Sequence, residues 1–232
     1  MTRQMRELTI RITRCSRASW FRLDIAGCIL HLDPGYTGYF ENQGIPMEAL
    51  SEKADIVLIS HDHKDHLQPV ALDLISDPKT MIFAPRRAAA KIARPGVTVV
   101  EVGDVWTVGP LRMTAVMACN VPESHSTRKV HHPGDGVGYL IQSPDWFVYF
   151  AGDTDRIPEM KELGSPDLAM LPIGGTFVMD PEEAAQALEW IRPRWVIPMH
   201  ESKEDPAIFE QIVRSRSDVA VLRLKPGETV EV

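Results

Sequence analysis

Short apolar runs rich in β-branched residues alternate with turn signals along the whole chain. Phe21–Ile25 and Cys28–Leu32, joined by Ala26-Gly27, predict a pair of strands. Leu8–Ile12, Ala54–Ser60, Met81–Ala84, Val97–Val100 and Leu111–Val116 extend the series. Helical spacing appears at about 65–76, where Leu67, Val70, Ala71, Leu74 and Ile75 share a face, and in the Ala-rich stretch 86–93. The second half repeats the plan. Gly138–Gln142 and Phe147–Ala151 predict a hairpin turning at Ser143-Pro144-Asp145, and Leu168–Pro172, Trp195–Pro198 and Val219–Leu224 predict further strands. Asp180-Pro181-Glu182-Glu183 has the order of a helix start: a capping Asp, Pro at the first position, acids in the first turn. That helix runs to about Ile191, and a second spans Pro206 to about Arg214. Periodicity alone therefore gives mixed α and β in two β-rich halves. No internal repeat, low-complexity tract or linker interrupts them, so one domain over 1–232 is expected.

Composition narrows the class. Hydrophobic residues make up 44% of the 232, enough for a sizeable core. A net charge of −7, with no basic stripe, argues against a nucleic-acid partner. Met1–Glu7 is charged and has no apolar stretch of a secretory leader, and Ile25–Leu32 is too short to span a bilayer. A cytoplasmic location without a stable membrane anchor is the expectation. Cys15, Cys28 and Cys119 are odd in number and far apart, and read as small hydrophobes rather than a disulfide framework or a metal pair. The sequence leaves the oligomeric state open and is compatible with a homo-oligomer.

Chemistry enters at His61-Asp62-His63-Lys64-Asp65-His66. Three of the chain's eight histidines fall within six residues, directly after an apolar strand and before a helical pattern. Neutral imidazole with carboxylate suits zinc, manganese or iron. Further ligand types recur in equivalent places. Phe147–Ala151 runs into Gly152-Asp153-Thr154-Asp155, Trp195–Pro198 runs through Met199 into His200, and Cys28–Leu32 runs into Asp33-Pro34-Gly35. Loops beyond the carboxyl ends of strands are where α/β proteins gather their sites. Each segment alone is weak, because Gly-Asp-Thr is a common turn and a single His after a strand is more often structural. In this order, beside the six-residue cluster, they form a strong constellation.

His61, His63, Asp65 and His66 match the H-x-H-x-D-H signature, and the chain resembles the metallo-β-lactamase superfamily. The resemblance covers about residues 23–202 and implies a four-layer αββα sandwich of the α/β (α+β) class. It implies that Asp33 orients the metal-binding loop without ligating, that Asp153 bridges two metals, and that His200 completes the second site. The third motif, one histidine between Asp65 and Asp153, is expected at His132, in His132-Pro133-Gly134-Asp135-Gly136, with His125 as the alternative. His131 is read as a neighbour and His31 as a strand residue. Ala151-Gly152-Asp153-Thr154-Asp155, Leu171–Met179 and Ile197-Pro198-Met199-His200 resemble the branch of ascorbate-6-phosphate lactonase-like proteins, with N-acyl phosphatidylethanolamine phospholipase D a more distant member.

The resemblance implies a metal-dependent hydrolase with two divalent ions, zinc first, with manganese or iron as alternatives. One ion would take His61, His63 and His132, the other Asp65, His66 and His200, and Asp65 would also orient the nucleophile or carry its proton. Candidate substrates are small anionic metabolites with an ester, lactone or phosphodiester bond. A β-lactamase role would need export, glyoxalase II an extra helical region after His200, and RNA processing a nucleic-acid module. The competing class is a non-catalytic metal- or ligand-binding sensor on the same fold. Tyr36, Tyr39 and Phe40 read as core or partner contacts more than as a substrate wall, and Arg156 and Lys161 as exposed charges more than as an anion site.

Overall fold

A computed structural model describes residues 9–42 and 44–232. The Met1–Glu7 segment and Leu8 lie outside them. Among the described residues two seven-stranded sheets pack face to face. The first holds β1 (Arg11–Arg14), β2 (Phe21–Ile25), β3 (Cys28–Leu32), β4 (Ile56–Leu58), β5 (Met81–Ala84) and β6 (Val97–Val99) in that order, with β14 (Thr229–Glu231) outside β1. The second runs β7 (Val105–Val108), β8 (Leu111–Ala118), β9 (Gly136–Gln142), β10 (Phe147–Phe150), β11 (Leu168–Pro172), β12 (Trp195–Met199) and β13 (Ala220–Val221). Each sheet is half antiparallel and half parallel. β3 through β6 are parallel in one, β10 through β13 in the other.

Strand periodicity separates the layers. On β4, Ile56 and Leu58 join the core between the sheets, while Val57 and the following Ile59 join a second core on the outer face. That outer core holds Ala71, Leu72 and Ile75 of α1 (Pro69–Ile75) and Ala88 of α2 (Arg86–Ala89). On the far side, α3 (Pro181–Ile191) buries Ala184, Leu188 and Ile191, and α4 (Pro206–Arg214) buries Phe209. The expected four-layer αββα sandwich is the observed fold. Asp180 caps α3, accepting the Glu183 N–H at 2.7 Å, as the acidic start with Pro181 predicted.

Several expected bounds shift: the first strand is Arg11–Arg14 rather than Leu8–Ile12, and the Ala-rich stretch 86–93 is helical only over Arg86–Ala89. The stretch 65–68 belongs to the loop, because Pro69 opens α1 and Gln68 ahead of it is extended. Only Ala220–Val221 of the Val219–Leu224 run pairs in a sheet, and the last strand is β14, which pairs with β1. Three short 3-10 turns, Phe40–Asn42, Met47–Leu50 and Pro158–Glu162, carry no apolar period and were not anticipated. Among the described residues no helix is long and apolar enough to cross a membrane.

Candidate metal centre

The six-residue cluster leaves the carboxyl end of β4, and its backbone is folded back on itself by His66 and Leu67 N–H bonds to the His63 carbonyl at 3.1 and 2.9 Å. Asp33, just beyond β3, anchors it. Its buried carboxylate accepts the Ser60 N–H at 2.6 Å, the Ser60 hydroxyl at 2.5 Å and the His66 Nδ1–H at 2.6 Å. The Ser60 hydroxyl also lies 3.0 Å from His61 Nδ1. Asp33 therefore orients His66 directly and His61 through Ser60, leaving the Nε2 atoms of both rings to face the site. Asp33 sits at φ +44°, a conformation that favours glycine, so the surrounding contacts hold it there. A second tether comes from Lys91, which binds the Asp62 carboxylate at 2.6 Å and the Asp62 carbonyl at 2.8 Å.

Among the described residues three groups of ligand-type atoms have their three atoms within 4.8 Å of one another: Asp33, His61 and His66, where Asp33 already binds His66 and Ser60, and the two that face the site, His61, His63 and His131, and Asp65, His66 and His200. In the first of these two, His63 Nδ1 is 3.0 Å from His61 Nε2 and 3.3 Å from His131 Nε2. In the second, His200 Nε2 is 3.2 Å from Asp65 Oδ2. Asp153, just beyond β10, lies between them. Its Oδ2 is 3.3 Å from both His131 Nε2 and His200 Nε2, and its Oδ1 is 3.3 Å from His66 Nε2. Yet His66 Nε2 and Asp153 Oδ1 are buried with no hydrogen-bond partner. Orphaned buried polar atoms are costly, and a buried imidazole nitrogen and carboxylate oxygen that face each other at 3.3 Å without a hydrogen bond, inside a cluster of converging histidines, fit bound cations. The donor set is nitrogen and oxygen with no sulfur, which suits zinc, manganese or iron. A cavity of about 20 Å³, enough for about one water, opens on His61, His63, His131 and Asp153.

Electrostatics follow from that crowding. Burial, aided by His66, holds His61 well below the usual histidine range, and burial likewise lowers His131. Burial opposes the charge on His66 too, but Asp153 and Asp33 outweigh it and hold this ring well above its ordinary value. For Asp153, burial is outweighed by His200 and His66, which keep the carboxylate ionised well below the normal range. Asp65 is lowered too: burial raises it, but the hydrogen bond from His200 and the His66 charge prevail. A cation entering this site replaces a proton that the carboxylates otherwise recruit.

The expected residues His61, His63, Asp65, His66, Asp153 and His200 are brought together, with Asp33 behind them. The expectation for the third-motif histidine is corrected. His131 reaches the cluster, while His132 is exposed. Asn120, just past β8, fixes the difference: its Oδ1 accepts the Val130 and His131 N–H groups at 2.9 Å, and its own N–H bonds the His131 carbonyl at 2.7 Å. His132 instead opens a tight turn closed by Asp135 N–H to its carbonyl at 3.0 Å, and its ring faces solvent. His125 is outside the cluster, with Nδ1 2.9 Å from Asp180. Tyr36 is buried edge-on against Phe40, at 5.4 Å between ring centroids, and belongs to the outer core. Arg156 and Lys161 both lie over the Trp190 ring, at 4.0 and 4.4 Å.

Comparison with known proteins shows the family and the fold. Residues 11–200 match a family model described as the beta-lactamase superfamily domain. A Thermofilum pendens protein named "UPF0173 metal-dependent hydrolase" is 35% identical over 196 residues, covering 80% of this chain and 82% of the relative. The crystal structure of Igni18, a metallo hydrolase from Ignicoccus hospitalis, superposes with a TM-score of 0.75 at 28% identity, over 97% of this chain and 98% of that one. A crystal structure from Parabacteroides distasonis gives a TM-score of 0.79 at 28% identity, over 92% of each chain.

Proposed function

The chain belongs to the beta-lactamase superfamily, as a metal-dependent hydrolase of that family, and we propose that it uses two divalent ions to hydrolyse an ester, lactone or phosphodiester bond in a small anionic metabolite. The observation that carries the two-ion reading is Asp153. One carboxylate lies 3.3 Å from a nitrogen of the His61–His63–His131 group and 3.3 Å from nitrogens of the Asp65–His66–His200 group. His61, His63 and His131 would hold the first ion, Asp65, His66 and His200 the second, and Asp153 both. When bound, the ions supply Lewis acidity: a water acidic enough to attack at neutral pH, and positive charge against the oxygen that becomes negative.

The chain's own groups do the rest. Asp65 is ionised and its side chain is a quarter exposed, so it would accept a hydrogen bond from the attacking water and orient it. Asp33 holds the His66 ring, and through Ser60 the His61 ring, at fixed angles. Two carboxylates offset only half of the charge of two divalent ions, so the centre attracts anions although the chain as a whole carries −7. That local field, with the resemblance of Ala151–Asp155 and Ile197–His200 to the lactonase-like branch, supports an anionic small molecule as substrate. Zinc is the first choice of metal, and the protein is proposed to work in the cytoplasm without a nucleic-acid or membrane partner.

The test is metal analysis after reconstitution with zinc or manganese, followed by assays on lactones, thioesters and an activated aryl phosphodiester. About two ions per chain and turnover of an anionic substrate are expected. A carboxylic acid product marks the lactone reading and a phosphomonoester the phosphodiester reading. Fewer than one ion per chain overturns the proposal, and full loading with tight reversible ligand binding but no turnover moves the protein to a sensor role.

A further inference from the structure

Arg14, at the end of β1, is among the described residues the largest charged side chain sealed inside the protein, with 1% exposure. Its guanidinium is fully satisfied. Nε donates to the Ser16 carbonyl at 2.9 Å, and Nη1 to the Leu224 carbonyl at 2.9 Å and Glu201 Oε1 at 2.8 Å. Nη2 donates to Glu201 Oε2 at 2.6 Å, the Arg17 carbonyl at 2.6 Å and the Ala18 carbonyl at 3.3 Å. Glu201 directly follows His200. The Ala18 carbonyl also accepts the His200 N–H at 3.3 Å. So one guanidinium grips both the residue after His200 and the loop that receives the His200 backbone.

The placement spans the two sheets. Arg14 belongs to the first, while Glu201 follows β12 of the second. The turn it holds is strained: His200 has φ +50° and Ser202 φ +54°, a region that side-chain-bearing residues rarely adopt. Gly174 packs closely against it: a Cβ there would lie 2.4 Å from the His200 carbonyl oxygen. Strained backbone persists only where neighbours over-determine it. A buried ion pair is often no more stable than apolar residues of the same volume, but a bidentate guanidinium–carboxylate fork fixes direction as well as distance.

We propose that Arg14, through its fork on Glu201, is a positioning residue that presents His200 to the second metal position. The inference rests on the two-ion reading above. Its expected signature is selective: the second metal affinity falls while the first, built on His61, His63 and His131, does not.

The experiment strips the purified protein with a chelator and titrates it with Zn²⁺ against a chromophoric competitor, resolving two successive affinities. Cobalt(II) absorption then reports the geometry of each step. Arg14→Lys keeps the charge but loses the fork, and should lower the second affinity about 10- to 100-fold, the range for groups that orient ligands, with the first within about threefold. The double variant Arg14→Met with Glu201→Met removes both charges, and should keep the second affinity low even if its melting temperature returns to the wild-type value. If Arg14→Lys does not fold, Glu201→Gln, which loses one arm of the fork, should weaken the second step about tenfold and alter the second cobalt spectrum. Wild-type protein that takes up only one ion overturns the two-ion reading and this inference with it. Two ions in the wild type, with an unchanged second affinity in folded Arg14→Lys or Glu201→Gln, or one restored in the double variant, overturns this inference alone.

Discussion

Burial, helped by the charge of Arg22, pushes the wholly buried His31 down to about 3. The neutral ring accepts the Trp20 indole N–H at Nδ1, at 2.9 Å, as a histidine of β3 inside the fold would. In the unfolded chain this imidazole takes up a proton near its ordinary value of about 6.5. Between that value and about 3 the unfolded state binds more protons, so the stabilisation is complete above 6.5 and is lost as the pH falls toward 3. From pH 7 to pH 5 the loss should be about 2 kcal/mol. His31→Gln keeps an acceptor for Trp20 but cannot titrate. Urea unfolding of chelated protein at pH 7 and pH 5 should show an acid loss smaller by about that amount, and an equal loss in both proteins would assign it elsewhere. At the same scale, His131→Ala should weaken zinc binding by at least about tenfold, the lower range for groups that only orient ligands, and His132→Ala by no more than about twofold. The reverse ranking in a competition titration would return the third-motif role to His132.

Among the elements, the Asp33-Pro34-Gly35 turn shows how closely one loop can be fitted to another. A Cβ at Gly35 would lie 2.3 Å from the His66 N and 2.4 Å from the Asp65 carbonyl carbon, both backbone atoms that cannot rotate away. Gly35→Ala must push the β4 loop off its seat, costing about 1–3 kcal/mol as overpacking does. Metal affinity and melting temperature should fall together in a zinc titration and a thermal scan, and an Ala variant with wild-type affinity would show that the loop has room to yield. Much of this level was legible in the sequence. Phe21–Ile25, Cys28–Leu32, Met81–Ala84, Leu168–Pro172 and Pro206–Arg214 form at the predicted bounds, because their apolar runs are bounded by clear turn or cap signals. What was not legible has physical causes. β14 is a short, mostly exposed strand with no apolar run to mark it, whereas β7, Val105-Trp106-Thr107-Val108, carries β-forming residues but is only four residues long and half-exposed or exposed throughout. His131 and His132 are the same residue type one position apart, so the choice between them is decided by hydrogen bonds from Asn120, 11 residues upstream of His131, which no local pattern encodes. The Arg14–Glu201 pair joins positions 187 apart and leaves no periodic trace.

At the scale of the whole molecule, the ligand-type residues are divided between the two sheets. His61, His63, Asp65 and His66 hang from the end of β4 in the first, while His131, Asp153 and His200 come from loops after β8, β10 and β12 in the second. Before a cation binds, the site is crowded and only partly satisfied: His66 Nε2 and Asp153 Oδ1 face each other at 3.3 Å without a hydrogen bond, and His63 Nδ1 is shared between the Nε2 atoms of His61 and His131 at 3.0 and 3.3 Å. A bound ion would convert that crowding into a cross-link at one end of the sandwich, and anything that binds only the folded state stabilises it by mass action. Free zinc at a hundred times its dissociation constant contributes about 2.7 kcal/mol per site, or roughly 5–10 °C in melting temperature for a chain of this size. Chelation should therefore lower the melting temperature by at least that amount. Amide exchange should accelerate after β4 and also after β10 and β12, since the cross-link holds both sheets. Exchange that quickens only within residues 61–66, or a melting temperature indifferent to chelator, would mean that the cation serves one loop and leaves the sheets to be held by their shared core.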